Sequence, residues 1–181
     1  MKTYVALLRG INVGGKNKLP MAGLKTFLEE QACADVRTYI QSGNVILRSP
    51  LDAKALGAKI EKGLSKTFTL DSATIRVLLL TKKQLQQIVE DRPKGFGDQP
   101  AKFHSDVIFL MGITVTEAMK VFAPREDVDR VWPGKGVIYS QRLSAQRTKS
   151  RLSKIVGTPA YQSMTIRNWS TTTKLLAMLA Q

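Results

Sequence analysis

ALLRGINV, residues 6 to 13, recurs as IFLMGITV, residues 108 to 115, keeping Leu, Gly, Ile and Val in register. A short apolar run that leads into glycine reads as a buried strand turning out of a sheet, and its recurrence points to an internal duplication. Two further matches follow in the same order. YIQSGNVIL from Tyr39 faces VWPGKGVIY from Val131, each a strand, a glycine turn and a strand, and the TIR that begins at Thr74 recurs at Thr165.

The elements around these matches agree. The first half reads as strand 3–9, helix 21–31, strand 36–41, strand 44–48, helix 53–67 and strand 73–80. The second gives strands near 105–111, 128–132, 136–140 and 163–167, with helices over 115–123 and 148–156. Asp52 caps helix 53–67, which carries Leu56, Ile60 and Leu64 on one face, and Thr114 with Glu117 forms a capping box. Strand, helix, strand, strand, helix, strand is the ferredoxin-like order. The sequence therefore predicts an α+β chain, ferredoxin-like (βαββαβ) twice over. The first half, 1–91, includes a linking helix at 82–90, the second, 104–181, ends in a helix at 171–180, and 92–103 is a Pro- and Gly-bearing linker.

Charge narrows the partner. The chain has 28 basic against 14 acidic residues, a net +14, which favours an anionic ligand such as nucleic acid, phosphate or an acidic protein. The last acidic residue is Asp129, and nine Lys or Arg residues lie beyond it. With a single cysteine, Cys33, and a single histidine, His104, neither an internal disulfide nor a thiolate–histidine or two-histidine metal site is expected, and no cofactor is implied. The early run YVALL is too short for a signal-peptide core, and no stretch approaches the ~18 apolar residues of a membrane helix. The expectation is a cytoplasmic protein that does not meet the membrane.

Within RGINVGGKNKLP, residues 9 to 20, a glycine, four residues and then Gly-Lys imitate a phosphate-binding loop. Asn17 stands where that loop needs Ser or Thr for magnesium, and Pro20 starts the following helix too late to aim its amino terminus at Gly15. A nucleoside triphosphatase is not implied. A looser anion cradle built from Arg9, Asn12, Gly14, Gly15, Lys16 and Lys18 is one reading, and a solvated loop whose glycines only turn the chain is the other. Parallel first and second strands would bring Gln41, Ser42 and Asn44 of the QSGN hairpin to the same edge, giving a cluster of donors with no carboxylate. QSGN also reads simply as a tight turn in which Gly43 and Asn44 accept positive φ. Because the second half passes directly from strand to capped helix, about ten residues, NVGGKNKLPM, look inserted and are expected to be dispensable for folding.

Three segments, LLRGINVGG, VRTYIQSGNVIL and TIRNWSTTTKL, closely resemble the signature stretches of a mainly bacterial family filed as domain of unknown function 1697. The resemblance spans nearly the whole chain and implies a paired ferredoxin-like fold, with no established reaction, cofactor or catalytic residue. The chain departs from the family at Ala32 and Cys33, where Gly-Phe is common.

The carboxyl-terminal third carries the remaining candidates. In RNWSTTTK, Ser170 or Thr171 can cap the last helix and Trp169 can staple onto it, above a stripe of Leu175, Leu176 and Leu179. Arg167, Asn168 and Lys174 are not required by that capping, and an exposed Trp169 beside them would suit stacking on a base. The run RLSAQRTKSRLSK offers Arg142, Arg147, Lys149, Arg151 and Lys154 with no counter-charge, whereas helix 53–67 mixes its lysines with Glu61. His104 and Asp106 share a strand face, Ser105 points away from both, and no nucleophilic triad follows; Cys33 reads as a small packing residue. The leading expectation is a non-enzymatic protein that binds a polyanion, RNA or DNA, through its basic carboxyl-terminal half. The alternative is an enzyme or sensor for a phosphorylated small molecule held between the 10–20 loop and the 41–44 hairpin.

Overall fold

The computed structural model describes residues 1–71 and 75–180. It is an α+β structure with two four-stranded antiparallel sheets. The chain divides into two compact units, Met1–Leu85 with Leu175–Gln181, and Gln86–Lys174.

Unit 1 contains β1 (Lys2–Arg9), α1 (Met21–Glu30), β2 (Ala34–Tyr39), β3 (Asn44–Ser49), α2 (Ala53–Thr67) and β4 (Arg76–Thr81) in the order β2-β3-β1-β4. α3 (Lys82–Glu90) crosses into unit 2, which holds β5 (Phe103–Leu110), α4 (Val115–Met119), β6 (Asp129–Pro133), β7 (Val137–Leu143) and β8 (Met164–Asn168), ordered β6-β7-β5-β8. α5 (Trp169–Leu179) closes the chain. No helix among the described residues is long and apolar enough to cross a membrane.

Strand alternation selects the core. In β1, Tyr4, Ala6 and Leu8 share a face and join Val45, Leu47, Val77 and Leu79 against Leu24, Phe27 and Leu28 of α1 and Leu56, Ile60 and Leu64 of α2. Asp52 accepts the Ala55 N–H at 2.8 Å, as the capping pattern requires. Unit 2 packs Ile108, Leu110, Ile138 and Met164 on Ala118 and Ile155, and α4 begins with the Thr114–Glu117 capping box.

Three expectations are corrected. The second-half helix at 148–156 is replaced by 3-10 segments at Ser144–Lys149, Leu152–Gly157 and Pro159–Ser163. Only Leu152 and Ile155 are buried there, and their three-residue spacing matches the tighter helix, whereas α2 buries residues four apart. The hairpin match is out by one position: Leu7 faces Asn44, while its counterpart Phe109 faces Val137, which the sequence pairs with Val45. A one-residue slip exchanges the two faces of a strand, so pairing geometry overrides letter identity. The TIR match fails further. Thr74 lies outside the described residues, and the β4 register sets Leu78 where β8 has Thr165.

Residues 92–103, read as a linker, bury Phe96 edge-on to Trp132, Tyr139 and Trp169 at 5.2 to 6.1 Å. The departure at Ala32 also gains a physical meaning. α1 ends in a Schellman motif, with Ala32 N–H bonded to Glu29 O and Cys33 N–H to Leu28 O, and Ala32 holds the left-handed φ of 64°. Glycine adopts that conformation without a Cβ penalty of about 1 kcal/mol. Ala32→Gly should therefore stabilise the protein by up to about 1 kcal/mol in a denaturant melt; a fall in stability would refute this account of the turn.

Candidate functional site

The 9–20 loop is built around a miniature hairpin. Asn12 N–H donates to Asn17 O and Lys16 N–H to Val13 O, both at 3.0 Å, around Gly14 and Gly15 with φ of 58° and 75°. Two successive left-handed residues are what a type I′ turn demands, so the glycine pair that imitates a phosphate loop closes a hairpin. Asn12 clamps the loop: its Nδ2 donates to Leu19 O and to Gln41 O, and its Oδ1 accepts the Leu19 N–H. Buried Asn17 donates Nδ2–H to Gly10 O and its backbone N–H to the Asp71 carboxylate at 2.6 Å.

The structure thus joins the loop to the 41–44 hairpin, and Leu8 N–H adds a bond to Gly43 O at 2.8 Å. In that hairpin the positive-φ residues are Ile40 and Gly43, with Asn44 fully buried and its Nδ2 bonded to Tyr39 O and Ser42 Oγ. Asp71 corrects the expectation of a carboxylate-free cluster: one backbone donor of the loop already holds the chain's own anion. Lys16, Lys18 and Gln41 face solvent, while Asn12, Asn17 and Asn44 hold the backbone. The insertion is more than a solvated loop: Leu19 within it is 1% exposed and packs in the unit 1 core beside Ile11, the 2% exposed residue just before it, so its removal would take apolar contact from that core.

Unit 2 presents a different surface. Arg147, Lys149 and Lys154 on the 3-10 segments and Arg151 between two of them are exposed, and among the described residues none lies in an ion pair. Asn168 and Lys174 are also exposed. Arg167 is not: it is 7% exposed, donates to Thr165 Oγ1 and Ile166 O, and burial lowers its pKa to about 10. Trp169 is half-buried, with Phe96 edge-on to it and Arg92 over its ring at 5.6 Å, so only part of it is open to a ligand. The cap of α5 is Asn168, whose Oδ1 accepts the Thr171 N–H at 2.7 Å, in place of Ser170 or Thr171.

Two acidic residues outside the expected site organise this surface. Asp129, the last acidic residue, is 7% exposed and accepts the backbone N–H groups of Arg125 and Arg151 at 2.9 and 2.8 Å. It faces Arg142 across β6 and β7, and its Oδ1 and the Arg142 Nε are buried without hydrogen bonds. Asp106 pairs with His104, Nε2 to Oδ1 at 3.1 Å, as their shared strand face allows. Burial raises the Asp106 pKa, and His104 and Arg142 partly offset that rise. The spacing of His104 and Asp106 was a usable signal; nothing in the letters around Asp129 marks it as buried.

Residues 1–139 match the family described as Protein of unknown function (DUF1697). The chain belongs to that family. Among solved structures it is similar to the conserved bacterial protein SP0830 from Streptococcus pneumoniae, with 27% sequence identity, 98% of each chain covered and a TM-score of 0.80. No curated protein matches the chain. The family and its relative supply the architecture and leave the chemistry to the site.

That chemistry is cationic in unit 2. In unit 1, by contrast, a cleft of about 800 Å³ is lined by cations already engaged: Lys25 with Glu29, Arg48 with Asp35, and Arg37 with Met178 O. If Asp129 holds the basic segment in place, Asp129→Ala should cost about 2 to 4 kcal/mol and speed amide exchange at Arg125 and Arg151. Unchanged exchange at both amides would exclude that role.

Proposed function

We propose that the protein is a cytoplasmic, non-enzymatic binder of a polyanion, RNA or DNA, through the basic surface of unit 2, and that its two units are ferredoxin-like folds related by duplication. The observation that carries the reading is the exposed, acid-free segment 144–157, whose Arg147, Lys149, Arg151 and Lys154 have no ion pair among the described residues. Four unpaired cations close in sequence repel one another, and that cost is recovered when phosphates replace the small ions around them. Support for the duplication comes from the two strand orders and from two matching hydrogen bonds, Leu8 N–H to Gly43 O and Leu110 N–H to Gly136 O.

The alternative, a phosphorylated small molecule held between the 10–20 loop and the 41–44 hairpin, has less support. Asn12, Asn17 and Asn44 are committed to the backbone, and Asp71 supplies negative charge where an anion would sit.

The test is a fluorescence-anisotropy titration with single-stranded RNA and DNA between about 50 and about 200 mM salt. Binding should weaken steeply as salt rises. Replacing Arg147, Lys149, Arg151 and Lys154 together by Gln should lower the slope of log K against log salt by up to about 3, since each phosphate contact on a single strand contributes roughly 0.7. Absence of binding at low salt, or a slope unchanged in the variant, would refute the proposal.

A further inference from the structure

β5 outruns its neighbour. Its ladder with β8 ends at the pair Asp106–Asn168, so among the described residues Phe103, His104 and Ser105 continue with no strand on that side. The chain turns there from β8 into α5, and the gap is a cleft of about 300 Å³. Its walls include Phe103, His104, Asn168, Trp169, Ser170 and Thr173, closed by the turn at 97–100.

The chemistry of these walls is specific. Two aromatic side chains line the cleft, and cations sit against both: Lys102 and Arg130 at 5.2 and 5.8 Å from the Phe103 ring, Arg92 at 5.6 Å from Trp169. Of these, Arg92 also makes a loose surface ion pair with Asp98 at 3.4 Å. His104 is fixed through Nε2 by Asp106, which leaves its Nδ1 edge for a ligand. Ser170 and Thr173 add hydroxyl oxygens that can accept from a ligand, their protons being donated to Asn168 Oδ1 and to the carbonyls of Trp169 and Ser170. Aromatic walls with a few placed polar groups are the usual makeup of a small-ligand site, and this one has room for a single nucleotide rather than a folded partner.

The cleft is also continuous with the basic segment. Ser144, the first residue of that segment, donates its N–H to Lys102 O at 3.0 Å, one residue before Phe103. His104 lies directly across from Arg142 on β7. A chain of phosphates running along Arg147 to Lys154 therefore reaches the cleft within the same unit.

We infer that this cleft receives one unpaired nucleotide of a single-stranded nucleic acid, its base against the aromatic walls and its phosphate toward His104 and the rim cations. The inference rests on the polyanion reading and makes it specific: a base inside a duplex is stacked and paired and cannot enter. Bases splayed from a single strand are what aromatic and cationic side chains recognise in such proteins.

Three probes of equal length and fluorescent label separate the possibilities: a single-stranded oligonucleotide, the same backbone with abasic sites, and the duplex, all titrated at one salt concentration. The base-bearing strand should bind about fivefold or more tighter than the abasic one, in line with the stacking contribution of a base. Ser170→Trp, on an exposed position at the cleft mouth, should bring that ratio toward one, and His104→Ala provides a second variant should the first misfold in a thermal melt. Equal affinity for base-bearing and abasic strands, or tighter binding of the duplex, overturns the cleft while leaving the polyanion surface standing. No binding of any probe overturns both.

Discussion

In each unit the central strand ends by donating an amide to a glycine carbonyl across the sheet: Leu8 N–H to Gly43 O at 2.8 Å, and Leu110 N–H to Gly136 O at 3.1 Å. The strand then leaves the sheet through a left-handed glycine, Gly10 at φ 88° or Gly112 at φ 80°, a conformation closed to most side chains. This bond fixes which residues of the hairpin face the central strand. Because side chains alternate, it also fixes which face of the sheet becomes the core. From that common exit the units diverge. Unit 2 goes directly into the Thr114 cap, while unit 1 interposes a hairpin clamped by Asn12 and Asn17 and plugged into its core by Ile11 and Leu19.

The divergence sets where charge can act. Unit 1 consumes much of its polarity internally, with Asp71 on a loop amide and ion pairs along its cleft. Where unit 1 has α2 between its third and fourth strands, unit 2 has short 3-10 turns that bury only Leu152 and Ile155. Turns with so little apolar burial need another source of order, and the Asp129 carboxylate supplies it by holding the Arg151 amide from the edge strand β6. The last acidic side chain of the chain is thereby used on backbone, and Arg147, Lys149, Arg151 and Lys154 beyond it stay exposed with no ion pair among the described residues.

How legible this was from the letters depends on what each letter did. The α+β class, the capped helices at Asp52 and Thr114, and the meeting of the 10–20 loop with the QSGN hairpin follow from local patterns and a crossover rule, and the structure has them. The TIR and hairpin matches misled because register is decided by pairing across a sheet, which a linear alignment does not contain. The apparent insertion looked removable because a repeat comparison counts residues and does not register that Leu19 is buried. Arg167 read as a free cation because charge is visible in sequence and burial is not. The cleft beside His104 arises where β8 stops short of β5, a difference in strand length that no motif reports.

The account makes unit 2 the binding surface and unit 1 its partner in architecture, and amide chemical-shift mapping of the isotopically labelled protein with a short single-stranded oligonucleotide tests that most directly. Perturbations confined to residues 103–105, 142–157 and 168–173 are the predicted result. Perturbations centred instead on residues 9–20 and 41–44 would contradict it and return the function to the glycine loop.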